Sequence, residues 1–310
     1  MKVSELPSDT LAARLRGAGI YLRTGPFICH VRSPIPAVAE GLRLLYGDHA
    51  LSTDPAFADF HVQLTRPTGL RRWLRPQVVF HFDDRTPFKP LPIDQAFPML
   101  EWGLNWCVAN HAHQYLVIHA AAVAKDDRAM ILPAPPGSGK STLCAGLIAR
   151  GWRLLSDELT LISVDDGLIT PLPRPVSLKN HSIEVMREFA PHLAMTAECR
   201  DTVKGTVAHM GVPRDSIARG DTPARPAWIV FPRYRPGADT LLVPRKKGET
   251  LLQVAENGFN YSILGARGFD CLTNTVERCG CYDFTYSRLA EAIDLFRVLE
   301  PVPETTPVMV

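Results

Sequence analysis

An α/β fold built on a mixed sheet, preceded by a small α+β domain, is the fold class that this sequence predicts. Apolar runs of strand length alternate along the chain with amphipathic runs of helix length. Two of the strand-like runs are joined by a turn that is too short for a parallel crossover. With 310 residues, of which 46% are hydrophobic, the chain is long enough to bury a core in each of two domains.

Residues 1–92 are predicted to form the small α+β domain. Alternation of apolar and polar residues indicates strands at 27–31, 60–64 and 78–82. Apolar residues at helical spacing indicate a helix at 35–46. The short basic cluster 71–75 is interpreted as a solvated loop, and the proline-rich segment 87–92 as a linker.

Residues 93–300 are predicted to form the second domain, followed by a flexible tail at 301–310. Its first elements are a helix at 94–110 and strands at 115–123 and 129–132. Because only the tight turn at Asp126-Asp127 joins these strands, they must pair antiparallel, whereas an ordinary doubly wound nucleotide-binding domain has a helix there. A strand pair interrupted by two acids is expected within 152–162, with further strands at 227–231 and 240–243 and a last helix at 287–299.

A glycine loop, residues 134–142, follows the second of these strands and opens a helix-like run. It consists of Ala134, Pro135, Pro136, Gly137, Ser138, Gly139, Lys140, Ser141 and Thr142. Glycines let successive N–H groups turn inward around phosphate oxygens, the lysine adds a compact positive charge, and the serine offers a hydroxyl to magnesium. An ordinary proline-glycine turn is the alternative. The strand-loop-helix context favours a Walker A loop for ATP and magnesium, although Ala134 occupies a position where glycine is more usual.

Several segments around this loop occur in a familiar order. They are His119-Ala120, the loop end 139–142 and the run 150–158, which closes with Asp157-Glu158. Together they resemble the catalytic domain of HPr kinase/phosphorylase, a family that shares its core with phosphoenolpyruvate carboxykinase. The segments 173–180 and 204–209 are similar to motifs of the HPr-kinase-related kinases of the A type. The resemblance covers residues 115 to 165 well, the rest of the second domain loosely and the N-terminal domain not at all.

The resemblance implies an HPr-kinase-like P-loop domain and a role for each matching residue. Catalytic roles are implied for Lys140, His119, Asp157 and Glu158. One of the two acids would accept the proton of the attacking hydroxyl, and the other would help Ser141 to hold magnesium. From the residues alone, two adjacent acids are more often a solvated turn. Four further residues are candidates to hold phosphate or the acceptor: Arg174, Lys179, Lys204 and His209.

The sequence departs from that family in the glycine-rich signature after the paired acids. When Arg174 is aligned with the family's arginine, the glutamate position is Leu172 and the glycine position is Pro175. In the family this glutamate is a magnesium ligand, so the expected ligands here are Ser141 with Asp157 or Glu158. The same signature helps to engage HPr, so its loss argues against HPr as the substrate and against an important reverse phosphorolysis.

Three functions are compared on this basis. The leading hypothesis is an ATP-dependent kinase that transfers the γ-phosphoryl group to a hydroxyl of a peptide, a protein or a small molecule. The alternative is an ATP-binding regulatory or assembly module with slow hydrolysis and no transfer. Carboxykinase-like chemistry on an organic acid ranks below both, because phosphoenolpyruvate carboxykinases are much longer and carry substrate residues that are not found here.

Composition excludes several other classes. A net charge of +2 gives no electrostatic footprint for nucleic acid or for a membrane surface. No apolar run reaches the roughly 18 residues of a membrane span, and the first residues lack a signal-peptide core. The expectation is a soluble cytoplasmic protein with reduced thiols, and a homo-oligomer is left open.

Cys279-Gly280-Cys281 has no second pair at ligand spacing, so ordinary thiols are favoured over a metal site there. His111 and His113 are interpreted as surface or cap residues.

Overall fold

The structure, a computed structural model, describes residues 1–52, 57–68 and 75–300. It is a mixed α/β chain that divides into two compact units. Unit 1 consists of Met1–His111 and Leu172–Asp221, and unit 2 consists of Ala112–Pro171 and the chain from Thr222 onward. The predicted tail at 301–310 and residues 71–74 of the predicted basic loop lie outside the described residues.

Both units contain α-helices and β-strands. The α-helices are α1 (Ser8–Arg16), α2 (Pro36–Leu45), α3 (Ala96–His111), α4 (Lys140–Ala149), α5 (His181–Phe189), α6 (Arg214–Ala218), α7 (Lys247–Glu256), α8 (Tyr261–Leu264), α9 (Ala266–Arg278) and α10 (Leu289–Arg297). The strands are β1 (Ile20–Thr24), β2 (Phe27–Arg32), β3 (Phe60–Thr65), β4 (Gln77–Phe82), β5 (Leu91–Pro92), β6 (Tyr115–Lys125), β7 (Arg128–Pro133), β8 (Arg153–Ser156), β9 (Leu159–Ser163), β10 (Ile169–Thr170), β11 (Val176–Lys179), β12 (Cys199–Thr202), β13 (Gly205–Met210), β14 (Arg225–Tyr234), β15 (Leu241–Pro244) and β16 (Gly280–Tyr286).

Unit 1 contains a five-stranded sheet in the order β1-β2-β3-β4-β5 and a three-stranded sheet in the order β11-β13-β12. Neighbours in the first sheet run antiparallel except β2 and β3, which are parallel. In β3 and β4 alternate residues are buried, as the sequence pattern predicts for a half-exposed sheet. Helix α1 and strand β1, for which no prediction was made, complete this unit.

The division of the chain differs from the predicted division after residue 92. Helix α3 belongs to unit 1 because two glycines make room for rings between it and its neighbours. The ring of Phe97 fills the space that a side chain at Gly41 would need, and Phe80 does the same at Gly103. Residues 172–221 also join unit 1, where the ring of His209 lies 5.5 Å from that of Phe97.

Unit 2 is built on one large sheet in the order β10-β9-β6-β7-β14-β16-β15, with β8 also paired to β6. Strands β6 and β7 pair antiparallel, so the predicted short-turn hairpin is confirmed. Strands β7, β14 and β16 run parallel to one another, which makes the sheet mixed. The core against it includes Ile118, Ala120, Ala122, Ile131, Leu272 and Val276.

Helix α4 lies directly after the glycine loop and is almost entirely buried. A side chain at Gly146 would come within 2.8 Å of Leu289 and 3.0 Å of Ile293, both on α10. The two helices can therefore approach closely because α4 has a glycine at the crossing. Within the part of the chain that the structure describes, no helix is both long enough and apolar enough to cross a bilayer.

Candidate functional site

The glycine loop connects the end of β7 to the first residue of α4. Gly137 and Gly139 have φ angles of +84° and +88°, which side chains other than that of glycine rarely adopt. A methyl group at Gly137 would meet no atom within 4 Å, so the loop is open at this point. The Ser138 hydroxyl oxygen is buried and has no hydrogen-bond partner. A glycine loop at the start of a ten-residue helix, with an unsatisfied buried hydroxyl, fits an anion.

Two neighbouring parallel strands hold the loop from the side. The backbone N–H of Tyr234, at the end of β14, donates to the Ser138 carbonyl at 2.8 Å. The hydroxyl of Tyr286, at the end of β16, donates to the Gly139 carbonyl at 2.9 Å. Both tyrosines lie at the carboxyl ends of strands parallel to β7, the edge at which open α/β sheets bind ligands. No local sequence pattern marks either tyrosine as a site residue.

Strand register places His119 and the acid pair level with the start of the loop. The strand pairs that fix this level are Ala120 with Pro133, His119 with Leu159 and Ala122 with Ser156. Asp157 and Glu158 lie between β8 and β9, both of which pair with β6. Two strand spacings, about 10 Å, therefore separate the end of β7 from the backbone beside the acids.

Asp157 and Lys140 are the two buried charged residues among those predicted for the site in unit 2. Asp157 is 5% exposed and Lys140 is 7% exposed, whereas Glu158 is half-buried. Burial raises the pKa of the Cys144 thiol on α4 well above its usual value; the negative charge of Asp157 raises it further, and the positive charge of Lys140 lowers it. Both charges must therefore lie within electrostatic reach of one side chain of the loop helix.

The turn that carries the acids is braced by local hydrogen bonds. The Ser156 hydroxyl accepts a bond from the Leu159 N–H at 3.1 Å, and the Thr160 hydroxyl donates to the Ala120 carbonyl at 3.0 Å. The Ser156 bond spans the two acids and holds them out of regular strand geometry, whereas the Thr160 bond ties β9 to β6. Asp157 and Glu158 are consequently presented from a fixed interruption of the strand.

His119 is half-buried on β6 and is supported by the segment after α7. The backbone N–H of His119 donates to the Asn257 carbonyl at 2.8 Å, and the His119 ring lies 5.8 Å from the ring of Phe259. Asn260 accepts a bond from the Val117 N–H at 2.9 Å. These contacts fix the backbone of His119 at the level of the loop.

The four residues predicted to hold phosphate or acceptor all lie in unit 1. Arg174 is 6% exposed and its guanidinium is bonded to Glu101, Tyr46 and Asn105. The ammonium of Lys204 lies 5.1 Å from the centre of the Trp102 ring. Lys179 ends β11 half-buried, and His209 is fully buried on β13. The structure therefore brings together the loop, His119 and the acids in unit 2, while these four residues belong to the other unit.

The residues predicted to bind magnesium in unit 2 are oxygen donors. Ser141 is the second residue of α4 and half-buried, and the acid pair supplies carboxylates. Hydroxyl and carboxylate oxygens suit magnesium. Among the described residues there is no cluster of three or more His, Cys, Asp or Glu side chains that could hold a metal. Cys279 and Cys281 are free, buried thiols, and the Cys281 thiol donates to the Cys279 carbonyl at 3.5 Å.

Comparison with known proteins gives only distant similarities, all of them to solved structures. No family model matches the chain, and no curated protein matches it. Among solved structures, the chain is similar to the HPr(Ser) kinase/phosphatase from Coxiella burnetii, with a TM-score of 0.26 and 11% sequence identity, over 59% of this chain and 92% of that chain. A similarity this distant assigns no function.

Proposed function

We propose that this chain is an ATP-dependent kinase that transfers a phosphoryl group to a hydroxyl acceptor at the glycine loop of unit 2. The observation that carries the proposal is the strand ladder that sets His119 and the acid pair level with the start of that loop. An anion site alone would support any nucleotide-binding protein. The buried acid Asp157, level with the start of the loop, adds a group that can accept a proton.

The residues of unit 2 divide the work as follows. The inward N–H groups of the loop and the ammonium of Lys140 bind the β- and γ-phosphates of ATP. The Asp157 carboxylate accepts the proton of the acceptor hydroxyl. The hydroxyl oxygen then forms a bond to the γ-phosphorus as the bond to the bridging oxygen breaks, and ADP leaves.

Magnesium fits the remaining donors of the site. The Ser141 hydroxyl and the Glu158 carboxylate would hold the ion. When bound, it would supply positive charge against the phosphate oxygens. Positioning and charge account for most of the catalysis in this chemistry, so the loop and its supports matter more than covalent participation.

The proposed transfer needs an acceptor with a hydroxyl group, and three kinds of molecule can supply one. It must carry a hydroxyl, on a serine or threonine of a peptide or protein, or on a small molecule. The broken signature at Leu172 and Pro175 makes HPr a poor candidate.

The test begins with ATP binding measured by titration calorimetry. The wild-type chain should bind ATP, and Lys140→Ala should weaken binding by at least about tenfold, because it removes the charge on the phosphates. Binding that survives Lys140→Ala unchanged would exclude the glycine loop as the nucleotide site.

Phosphotransfer is then measured with labelled ATP, magnesium and a panel of hydroxyl-bearing peptides and small molecules. The double variant Asp157→Asn with Glu158→Gln should lose transfer by about a hundredfold or more while still binding ATP. A matched control is Asp165→Asn with Asp166→Asn, because this adjacent acid pair is exposed in the turn after β9. Equal transfer by both double variants would refute the acid role. ATP binding with slow hydrolysis and no labelled acceptor would instead support the regulatory-module alternative.

A further inference from the structure

Tyr286 makes an unusually direct contact with the glycine loop. Its hydroxyl donates to the Gly139 carbonyl at 2.9 Å, and the same carbonyl accepts the Leu143 N–H at 2.9 Å. A side chain at Gly139 would lie 2.5 Å from the Tyr286 hydroxyl and 2.9 Å from Cβ of Tyr234. Only glycine lets the tyrosine approach this closely.

Because the peptide group is planar, a contact that holds the Gly139 carbonyl also sets the direction of the Lys140 N–H. In a trans peptide the carbonyl and the following N–H point in opposite directions. Since Tyr286 and Leu143 hold the Gly139 carbonyl on the strand and helix side, the N–H of Lys140 points to the other side. The same reasoning applies to the preceding peptide, where the Tyr234 N–H holds the Ser138 carbonyl at 2.8 Å and thereby orients the Gly139 N–H.

The tyrosine itself is well fixed. Tyr286 is 2% exposed, and its ring stacks on Phe284 with centroids 5.3 Å apart and planes 12° apart. The ring of Tyr234 packs edge-on against it at 5.7 Å. Burial raises the pKa of Tyr286 well above its usual value, so the hydroxyl keeps its proton and stays a donor.

We propose that Tyr286 is a positioning residue whose hydroxyl holds the Gly139–Lys140 peptide so that the Lys140 N–H is presented to the phosphates of the nucleotide. The proposal rests on the proposed function for the identity of the ligand. It assigns a role in that site to a residue 147 positions away from the glycine it contacts.

The experiment compares Tyr286→Phe with Tyr282→Phe, a half-buried tyrosine on the same strand, on the full chain. Titration calorimetry is carried out with ADP and with inorganic tripolyphosphate, a probe without base or sugar. Tyr286→Phe should bind both probes about fivefold more weakly, the effect of one lost hydrogen bond. Tyr282→Phe should stay within about twofold of wild type, because it removes a hydroxyl from the same strand four residues away from the loop contact.

A second readout separates positioning from simple loss of packing. Hydrogen exchange should become faster in Tyr286→Phe at the amides of the glycine loop, while the melting temperature and the exchange of β14 and β16 remain close to those of wild type. The ratio of affinities with and without magnesium should not change, because Ser141 and the acids are untouched.

Each outcome decides a specific point. Wild-type affinity in Tyr286→Phe, when the wild-type chain binds both probes, would overturn the positioning role and leave the proposed function standing. Equal losses in both tyrosine variants would attribute the effect to a general change in β16 and would also overturn it. If the wild-type chain binds neither probe, the proposed function fails, and the positioning role fails with it.

Discussion

Arg174 provides the sharpest test of whether a predicted substrate residue is instead structural. Its Nη2 lies 2.7 Å from Glu101 Oε2, with the two side chains 6% and 4% exposed. The same guanidinium also donates to Asn105, Tyr46 and the Glu101 carbonyl. Replacing Arg174 with Met leaves a buried carboxylate without its countercharge, and breaking a buried pair in this way costs about 3–5 kcal/mol. At about 2–4 °C per kcal/mol, unit 1 should melt about 6–20 °C lower.

The assay is thermal and urea unfolding followed by circular dichroism, with an exposed ion pair in the same unit as the control. Arg187 bonds Glu198 at 2.7 Å, but the two side chains are 46% and 25% exposed. Arg187→Met should therefore cost no more than about 1 kcal/mol. A double variant, Arg174→Met with Glu101→Leu, should recover much of the lost stability, because apolar replacement of a buried pair is often neutral.

The opposite result would overturn the structural interpretation of Arg174. If Arg174→Met melts like the wild-type chain and yet loses phosphotransfer with ATP binding intact, the guanidinium acts on phosphate or acceptor, as the sequence pattern first indicated. A loss of stability without recovery in the double variant would show that the neutral hydrogen bonds, rather than the charge pair, dominate.

Two further predictions concern the loop and the thiols. Gly137→Ala should lower the free energy of unfolding by about 1–2 kcal/mol, because φ is positive there but the added methyl group meets no atom. Gly139→Ala should lower it more, because the added methyl group also collides with Tyr286. Equal shifts in the urea midpoints of the two variants would contradict this. Burial raises the pKa of Cys199 and of Cys271 to about 11. Between about pH 9 and pH 11 these thiols therefore ionise in the unfolded chain but not in the folded chain. The free energy of unfolding should be unaffected below about pH 9 and should decline as the pH rises towards 11. Urea unfolding at pH 8 and pH 10 measures the decline, and an unchanged midpoint would show that the thiols do not contribute.

Local features of the candidate site were predictable because they depend on neighbours in sequence. The short turn at Asp126-Asp127 dictates an antiparallel hairpin, and β6 and β7 form one. Glycines followed by Lys140 predict a loop at a helix start, and α4 begins at that lysine. Strands β8 and β9 flank Asp157 and Glu158 as the apolar pattern predicts.

The features that the sequence did not reveal depend on contacts between residues that are far apart in the chain. Tyr286 reaches Gly139 only because β16 joins the parallel set of strands, and no local pattern announces that pairing. Arg174 was predicted to hold phosphate or the acceptor, but its environment is set by Glu101, 73 positions away. The charge of Arg174 suggested that it binds phosphate, whereas its burial against Glu101 places it in an ion pair inside unit 1.

The direction of β6 explains how a strand before the loop can supply a residue to the loop's own edge. In a helix-connected parallel pair, both strands present their carboxyl ends at the ligand edge. Here β6 runs antiparallel to β7, so His119, in the first half of β6, lies at the level where β7 ends. Strands β8 and β9 continue the ladder on the other side and bring Asp157 to the same level. A register slip of one residue would turn His119 to the opposite face, so the ladder itself is the element on which the proposed chemistry depends.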